Sequence, residues 1–240
     1  FQLNADNQLF GEYTYSENKA TYASSETPIN DFSAAGDRPI IFPASSKFYP
    51  APFRRPDGSL ATPTGDLAIA WRGKDAGRRT DQATSEQSRF VVGAKGSFGA
   101  WEYDTAFNHA ESKVSDRYTD GYLSEARLRA AILTGAVNVF TTSGQDAAGQ
   151  AVLNTAKILG EVRQSKGTVD SFDIKGSTEL LKLPAGMLSM ALGAEARKEK
   201  FNDRPAAVLS SGDVLGGGGN YPGASADRKV TAFFAEFVAP

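Results

Sequence analysis

Several residue types and patterns are absent from this sequence of 240 residues, and each absence removes a class of protein. There is no cysteine, which excludes a disulfide framework, a thiolate metal site and a cysteine nucleophile. The 26 Lys and Arg nearly balance the 28 Asp and Glu, so charge does not predict a nucleic-acid partner. No apolar run approaches the roughly 18 residues of a membrane-spanning helix. A spanning β-strand needs only about 9–11 residues, half of which are polar, and hydropathy averages do not detect it.

Glycine and aromatic residues are plentiful, and the chain alternates between apolar and polar side chains. The 24 glycines and 10% aromatic residues suit a β-protein with many turns. The clearest alternation is RFVVGAKGSFGAWEYDTAFNH, residues 89–109, which predicts two strands joined by a short turn. Glu102 and Asp104 fall on one face. The opposite face is apolar and carries Phe90, Val92, Trp101, Tyr103 and Phe107. Such a face contacts a second sheet in a soluble sandwich, or lipid in an outer-membrane barrel.

Extending this interpretation along the chain predicts an all-β fold, an antiparallel meander of about six or seven strands. The predicted strands are 8–23, 67–73, 78–95, 98–113, 168–182, 187–201 and 227–239. Long loops are expected at about 24–66, 114–165 and 203–226. Helical spacing within 123–133 and 144–162 predicts short helices in the second loop. The strand at 67–73 fits an up-and-down order only as half of an external hairpin.

Loop length sorts by side of the predicted sheet. Short turns at 96–99 and 182–186 join strands at their apolar ends, whereas the three long loops follow the polar, charged ends. Outer-membrane barrels have short turns on one side and long loops on the other, and a soluble sandwich has no reason to sort its loops in this way.

Three phrases carry a resemblance to a known family. They are AGRRTDQATSEQSRFVVGAKGSFGAWEYDTAF (76–107), GQDAAGQAVLNTAKILGEV (144–162), and LPAGMLSMALGAEARKEKFNDRP followed by SGDVLGGGG (183–219). In these phrases, and in their order, the chain resembles the barrel of the TonB-dependent outer-membrane receptors of Gram-negative bacteria. The resemblance covers most of the chain from about residue 67 onward and says nothing about the substrate.

The resemblance implies a large barrel of about 22 strands with a plugged lumen. It implies active uptake of a scarce ligand, such as an iron–siderophore complex, cobalamin or an oligosaccharide, at the outer membrane. The expected partners are outer-membrane lipid, a small-molecule ligand and, through the plug, TonB. Residues 1–240 show no plug segment and too few strands for a barrel, so we expect a partial barrel segment from a longer protein. We expect neither enzymatic activity nor a cofactor.

Ligand contacts are expected from exposed aromatic and arginine side chains in the long loops, because such loops commonly carry binding function. The candidates are Phe48, Tyr49, Arg54, Arg55 and Tyr221. Other residues that suggest chemistry have simpler interpretations. His109, the only histidine, suits a membrane interface, and Glu102 with Asp104 suits cross-strand pairing. The GGGG at 216–219 lacks the Lys and Ser/Thr of a phosphate-binding loop and suits a flexible loop.

An alternative function is a secreted β-sandwich that binds carbohydrate through exposed aromatic residues. It predicts turn signals every 8–12 residues or so, which the three long loops do not provide. An open piece of barrel exposes two strand edges and an apolar face. We therefore expect the isolated chain to require detergent or to self-associate.

Overall fold

The computed structural model describes residues 1–29, 39–216 and 220–240. The chain is mostly β, with 59% strand and 11% helix, and one antiparallel sheet of six long strands dominates it. In chain order the long strands are β1 (Asn7–Glu26), β2 (Arg78–Phe98), β3 (Trp101–Asp120), β4 (Gly160–Leu183), β5 (Gly186–Pro205) and β6 (Ala224–Val238). Each strand pairs with the next long strand along the chain, so the predicted antiparallel meander is confirmed.

Next to the short turns, the register places apolar side chains together on one face of the sheet. Val92 lies opposite Phe107, and Phe107 lies opposite Phe172, so these apolar residues share a face. The opposite face carries Glu102 and Arg89. Two surface troughs lie on this face, and each is lined by residues of all six strands. Because a single trough reaches both edge strands, that side is concave. We call it the concave face, and the side of Val92 and Phe107 the convex face.

Connections between the long strands are short at one end of the sheet and long at the other. Gly99 and Ala100 join β2 to β3, and Gly99 has a φ of 62°, which favours glycine. Pro184 and Ala185 join β4 to β5. The long connections are 27–77, 121–159 and 206–223.

The strands extend further into the second loop than the sequence predicts. β3 continues to Asp120 and β4 begins at Gly160, whereas the sequence predicts a loop over 114–165. The upper halves of these strands are polar on both faces, so the alternation ends while the backbone pairing continues. The predicted loop 24–66 includes residues 30–38, and the predicted loop 203–226 includes 217–219. Those two stretches lie outside the described residues.

The predicted single strand over 67–73 is wrong. Leu67–Ala68 pairs with Ile41–Phe42, and Trp71–Arg72 pairs with Pro28–Ile29, so two separate two-residue strands replace it. The strands that pair with them, Pro28–Ile29 and Ile41–Phe42, both lie in the first long loop. Ile69, between the two short strands, is buried in a core that this loop helps to form. The segment therefore belongs to the loop and adds no strand to the sheet.

Short helices lie in the loops, as the sequence predicts. α1 is Glu125–Leu133, and α2 is Ala147–Ala156. Ser124 caps α1 by accepting a hydrogen bond from the Arg127 amide, and Asp146 caps α2 through the Gly149 amide, so each helix begins where the sequence offers an oxygen acceptor. A third helix, α3, is a single turn at Ala207–Ser210.

The main buried core lies in the loops and not on the sheet. Residues from all three long connections pack into one cluster, which we call the loop domain core. Its members are Ile29, Ile40, Phe42, Ile69, Ala76, Leu123, Leu128, Ala131, Ile132, Val137, Val139, Leu153, Ala156 and Leu215. Hydrogen bonds add to this packing, since Thr27 Oγ1 donates to the Gly121 carbonyl at 2.6 Å and the Leu215 amide donates to the Leu123 carbonyl at 2.9 Å. The three loops thus form one compact domain at one end of the sheet.

Aromatic rings cover glycines on the concave face near the short turns. The ring of Phe10 lies over Gly93, and the ring of Phe234 lies over Gly193. A Cβ at Gly93 would lie 2.5 Å from the Thr105 carbonyl oxygen and would also collide with the Phe10 ring. Only glycine admits these rings without displacing them.

Candidate functional site

The convex face carries a band of exposed apolar side chains next to the short turns. Phe172 is 48% exposed, Ile174 46% and Phe233 79%, so the band is uncovered among the described residues. On β2 the band runs from Phe98 to Phe90, about nine residues, which is the length of a strand that crosses a bilayer. On the convex face the first polar or charged residues beyond the band are Glu17, Ser88, His109, Asp170, Lys198 and Thr231.

The concave face is polar and forms a trough of about 640 Å³ halfway along the strands. All six strands contribute to its lining, including Thr14, Gln87, Ser112 and Arg228. Hydroxyl, amide and charged groups, together with the apolar side chains of Val169 and Phe201, thus line a single water-accessible space. Such a surface can hydrogen-bond a polar molecule along its length.

Charged side chains form a chain along β5 and β6 on the concave face. Arg197 lies between two glutamates, with Nη1 at 3.0 Å from Glu195 and Nε at 2.7 Å from Glu199. The angle of the second contact does not suit a hydrogen bond, so Arg197 Nε has no hydrogen-bond partner among the described residues. Glu199 also accepts a hydrogen bond from Arg228. The acids therefore neutralise the arginines, and this lining carries little net charge.

A second polar group lies on the concave face just below the loop domain. We call it the upper cluster; it consists of Asp81, Asp116, Tyr118, Tyr122, Arg163 and Asp203. Arg163 donates two hydrogen bonds of 2.9 Å to Asp203, and Ser165 donates a third of 2.6 Å. These donors hold the pKa of the Asp203 carboxyl below its usual value. Asp203 is only 5% exposed, whereas the Arg163 side chain is 43% exposed, so the pair joins a buried carboxylate to a partly solvated guanidinium.

Two tyrosine rings stack within the upper cluster. The rings of Tyr118 and Tyr122 are parallel within 6°, and their centroids are 3.6 Å apart. Burial and the nearby Asp81 charge raise the pKa of Tyr122 to about 12, so its phenol remains protonated at neutral pH. Burial, followed by the charge of Asp81, also raises the pKa of Asp116. The cluster therefore offers a phenol as hydrogen-bond donor and carboxylates as acceptors in a partly buried site.

The sequence-predicted ligand residues are spread over the loops. Phe48 and Tyr49 pack against the loop domain core, and Tyr49 donates to the Gly65 carbonyl at 2.6 Å. Arg54 and Arg55 lie in an exposed hairpin and bond to Gly58 and Ser59 of the same hairpin. Among the described residues the structure therefore does not bring these four side chains into one pocket.

Tyr221 occupies a different place. It is 40% exposed, and its amide donates to the carbonyl of Leu209, which packs in one cluster with Tyr118 and Tyr122. It therefore lies near the upper cluster. Sequence reasoning missed that cluster because five of its six residues, all except Asp81, fall in the predicted loops 114–165 and 203–226.

His109 lies on the convex face at the edge of the apolar band. Its Nδ1 is 2.6 Å from Asp170, and both side chains are about half exposed. The pair is thus a surface ion pair when the imidazole is protonated. Within the described residues no group of three or more His, Cys, Asp or Glu side chains could hold a metal ion.

Comparisons of this chain with protein-family models, curated proteins and solved structures gave no match. Among the described residues no helix is long and apolar enough to cross a membrane.

Proposed function

We propose that this chain is a segment of the barrel of a TonB-dependent outer-membrane receptor, which takes up a scarce small-molecule ligand at the outer membrane of a Gram-negative bacterium. The observation that carries the proposal is the apolar band on the convex face. It is exposed on every long strand, about nine residues deep, and ends at polar or charged residues. The resemblance to the family, in the phrases given above, supports the same proposal.

The remaining geometry agrees with such a receptor. The long loops, all at one end, correspond to the external loops of outer-membrane barrels. The polar concave face corresponds to the lumen. TonB contact would belong to the plug domain of the family, which we do not identify in these residues. Arg54, Arg55 and Tyr221 are the loop candidates best exposed to a ligand, whereas Phe48 and Tyr49 are partly committed to packing.

The alternative of a soluble carbohydrate-binding sandwich needs a second sheet against the apolar band. In residues 1–29, 39–216 and 220–240, the other sheets are three pairs of two-residue strands. None of the three is large enough to cover the band. This arrangement favours the membrane proposal over the sandwich.

Single-cysteine labelling tests the proposal directly, because the chain has no cysteine of its own. Ala94→Cys places a label in the middle of the band on the convex face, and Lys95→Cys places one on the concave face at the same height. Thr84→Cys is a second control, on the convex face well above the band. Each variant is refolded with phosphatidylcholine vesicles and labelled with a polarity-sensitive fluorophore.

We expect the label at residue 94 to shift to shorter wavelength and to be quenched by lipids that carry a quencher on their acyl chains. The labels at residues 95 and 84 should remain in a polar environment. Equal emission wavelengths of the labels at residues 94 and 95, or no lipid quenching of the label at residue 94, would contradict the proposal.

A further inference from the structure

Three lysines stand together on the convex face of β5 and β6. Lys198 and Lys229 are directly opposite each other in the strand pairing, and Lys200 is two residues further along β5. All three are exposed. Like charges placed directly opposite across an antiparallel pair destabilise it, and an anion between the two ammonium groups would offset their repulsion. The arrangement therefore points to an anionic ligand.

The acidic residues around these lysines do not neutralise them. Asp170 lies opposite Lys198 on β4 but is engaged with His109 at 2.6 Å. Asp227 lies opposite Lys200 on β6. In the part of the chain that the structure describes, none of the three lysines has a carboxylate within 4.0 Å.

Several other basic residues of the same sheet are paired with acids, whereas exposed Lys19 at the far edge of the convex face is single and unpaired among the described residues. On the convex face Lys166 lies 2.7 Å from Glu111, and Lys113 lies 3.9 Å from Glu86. On the concave face Arg197 and Arg228 are both paired with Glu199. The three lysines thus differ from these paired residues in lacking a carboxylate partner and from Lys19 in standing together, so their combined positive charge is available to a molecule outside the chain.

Along the strands, the lysines lie just beyond the apolar band on the side of the long loops, where the surface of a membrane would lie. Lys198 comes two residues after Ala196, the last apolar residue of the band on β5. On β6 the band ends at Phe233, and Thr231 and then Lys229 follow it on the same face. Lipid phosphates lie at this boundary, and long lysine side chains reach it readily. Below the lysines, an apolar hollow of about 360 Å³ is lined on the convex face by Ile174, Leu192 and Ala194.

We infer that Lys198, Lys200 and Lys229 bind the phosphate of an anionic membrane lipid, an inference that rests on the membrane location proposed above. The hollow provides an apolar surface for an acyl chain of the same lipid. A free phosphate ion would not use it, so the apolar hollow favours lipid as the source of the phosphate.

The test uses the full chain refolded with vesicles of phosphatidylcholine alone or with a minority of phosphatidylglycerol. The variant Lys198→Gln/Lys229→Gln removes the opposed pair. Lys113→Gln/Lys166→Gln is the matched control, because it removes two convex-face lysines and the same net charge, but both of these lysines are paired with glutamates. The variant Lys198→Arg/Lys229→Arg keeps the charge.

We expect the wild-type chain to prefer the vesicles that contain phosphatidylglycerol. The first variant should lose about fivefold in that preference for each lysine removed, the control clearly less, and the arginine variant little. An equal loss in the first variant and the control would overturn the inference, since net charge alone would then explain it. Loss of the preference in millimolar inorganic phosphate, at constant ionic strength, would also overturn it.

The two proposals fail in distinguishable ways. If the label at residue 94 enters phosphatidylcholine vesicles but the anionic preference is absent, the lipid site is wrong and the membrane proposal stands. If the label does not enter either kind of vesicle, the membrane proposal itself is wrong.

Discussion

At the scale of single residues, Asp203 is the most constrained ionisable group of the candidate site. It is 5% exposed and accepts hydrogen bonds from Arg163 and Ser165. These bonds join β4 to β5 directly below the loop domain. Removal of the carboxylate would leave Arg163 without its bidentate partner.

We therefore expect Asp203→Asn to lower the free energy of unfolding at pH 7 by about 1–3 kcal/mol. Asp227→Asn is the matched control: it changes an exposed aspartate of β6 outside any described ion pair, so its effect should stay within about 0.5 kcal/mol. Urea unfolding in detergent micelles, followed by tryptophan fluorescence, measures both. Equal effects of the two substitutions would show that the ion pair adds no stability.

The same carboxylate makes stability depend on pH. Its pKa is lower in the folded chain than the reference value of 3.8, so its contribution is complete above that value. The contribution is lost as the pH falls through the lower, folded pKa. We expect the gap in stability between the wild type and Asp203→Asn to shrink when urea unfolding is repeated between pH 5 and pH 2. A constant gap over that range would contradict the assignment.

At the scale of elements, the aromatic rings over strand glycines explain why some glycines cannot be replaced. Gly93 lies under Phe10 and close to the Thr105 carbonyl, whereas a Cβ at Gly167 of β4 would have nothing within 4 Å. Both residues are glycines within long strands. Only at Gly93 would a side chain collide with neighbouring atoms.

We expect Gly93→Ala to destabilise the sheet by about 1–3 kcal/mol, because the new methyl group displaces the ring and the backbone neighbour. Gly167→Ala should be neutral or stabilising by up to about 1 kcal/mol, because alanine restricts the unfolded chain. The midpoints of urea unfolding of the two variants in micelles provide the comparison. Similar midpoints would show that Phe10 moves aside at little cost.

At the scale of the whole molecule, apolar burial and the sheet are separated. Phe42, Leu128 and Leu153 are fully buried in the loop domain, while the convex face of the sheet is exposed. Among the described residues the edge strand β6 has no outer neighbour, and the edge strand β1 is covered only at its first residues, where Phe1–Leu3 bonds to Asn7–Leu9. The chain alone therefore exposes both an apolar band and unpaired backbone.

We expect the isolated chain to form oligomers in plain buffer and to become monodisperse in detergent, as measured by light scattering after size-exclusion chromatography. The double variant Phe233→Ser/Phe237→Ser, which replaces exposed band residues of β6, should associate less. The Phe10→Ser variant, on the concave face, serves as a control and should not reduce association. A compact monomer in plain buffer would mean that the apolar band is covered.

The sequence predicts the half of the sheet next to the short turns better than the half next to the long loops. Between Phe90 and Phe107 the alternation is strict because one face is apolar, and it predicts the strands, the turn and the faces. Above His109 both faces are polar, so the strand ends are missed by several residues. The upper cluster depends on register between β3, β4 and β5, which local patterns do not encode.

The loop domain core was not predicted for a related reason. Phe42, Leu123 and Leu215 are far apart in the chain and meet only through tertiary packing. Local periodicity does predict the helices α1 and α2, because each of them has a helical spacing and a capping residue. It does not reveal that three loops share one core.

The shared core of the loops has a consequence for the order of folding. The β2–β3 and β4–β5 hairpins close over two-residue turns, so they can form early at little entropic cost. β1 can pair with β2 only after about 50 residues have been brought back on themselves, which costs much more chain entropy. Packing of the first loop against the other two reduces this entropic cost, because it brings the end of β1 close to the sheet before β1 pairs. The Thr27–Gly121 hydrogen bond, directly after the end of β1, is one of the contacts that do so. We therefore expect β1 to join the sheet last, guided by the loop domain.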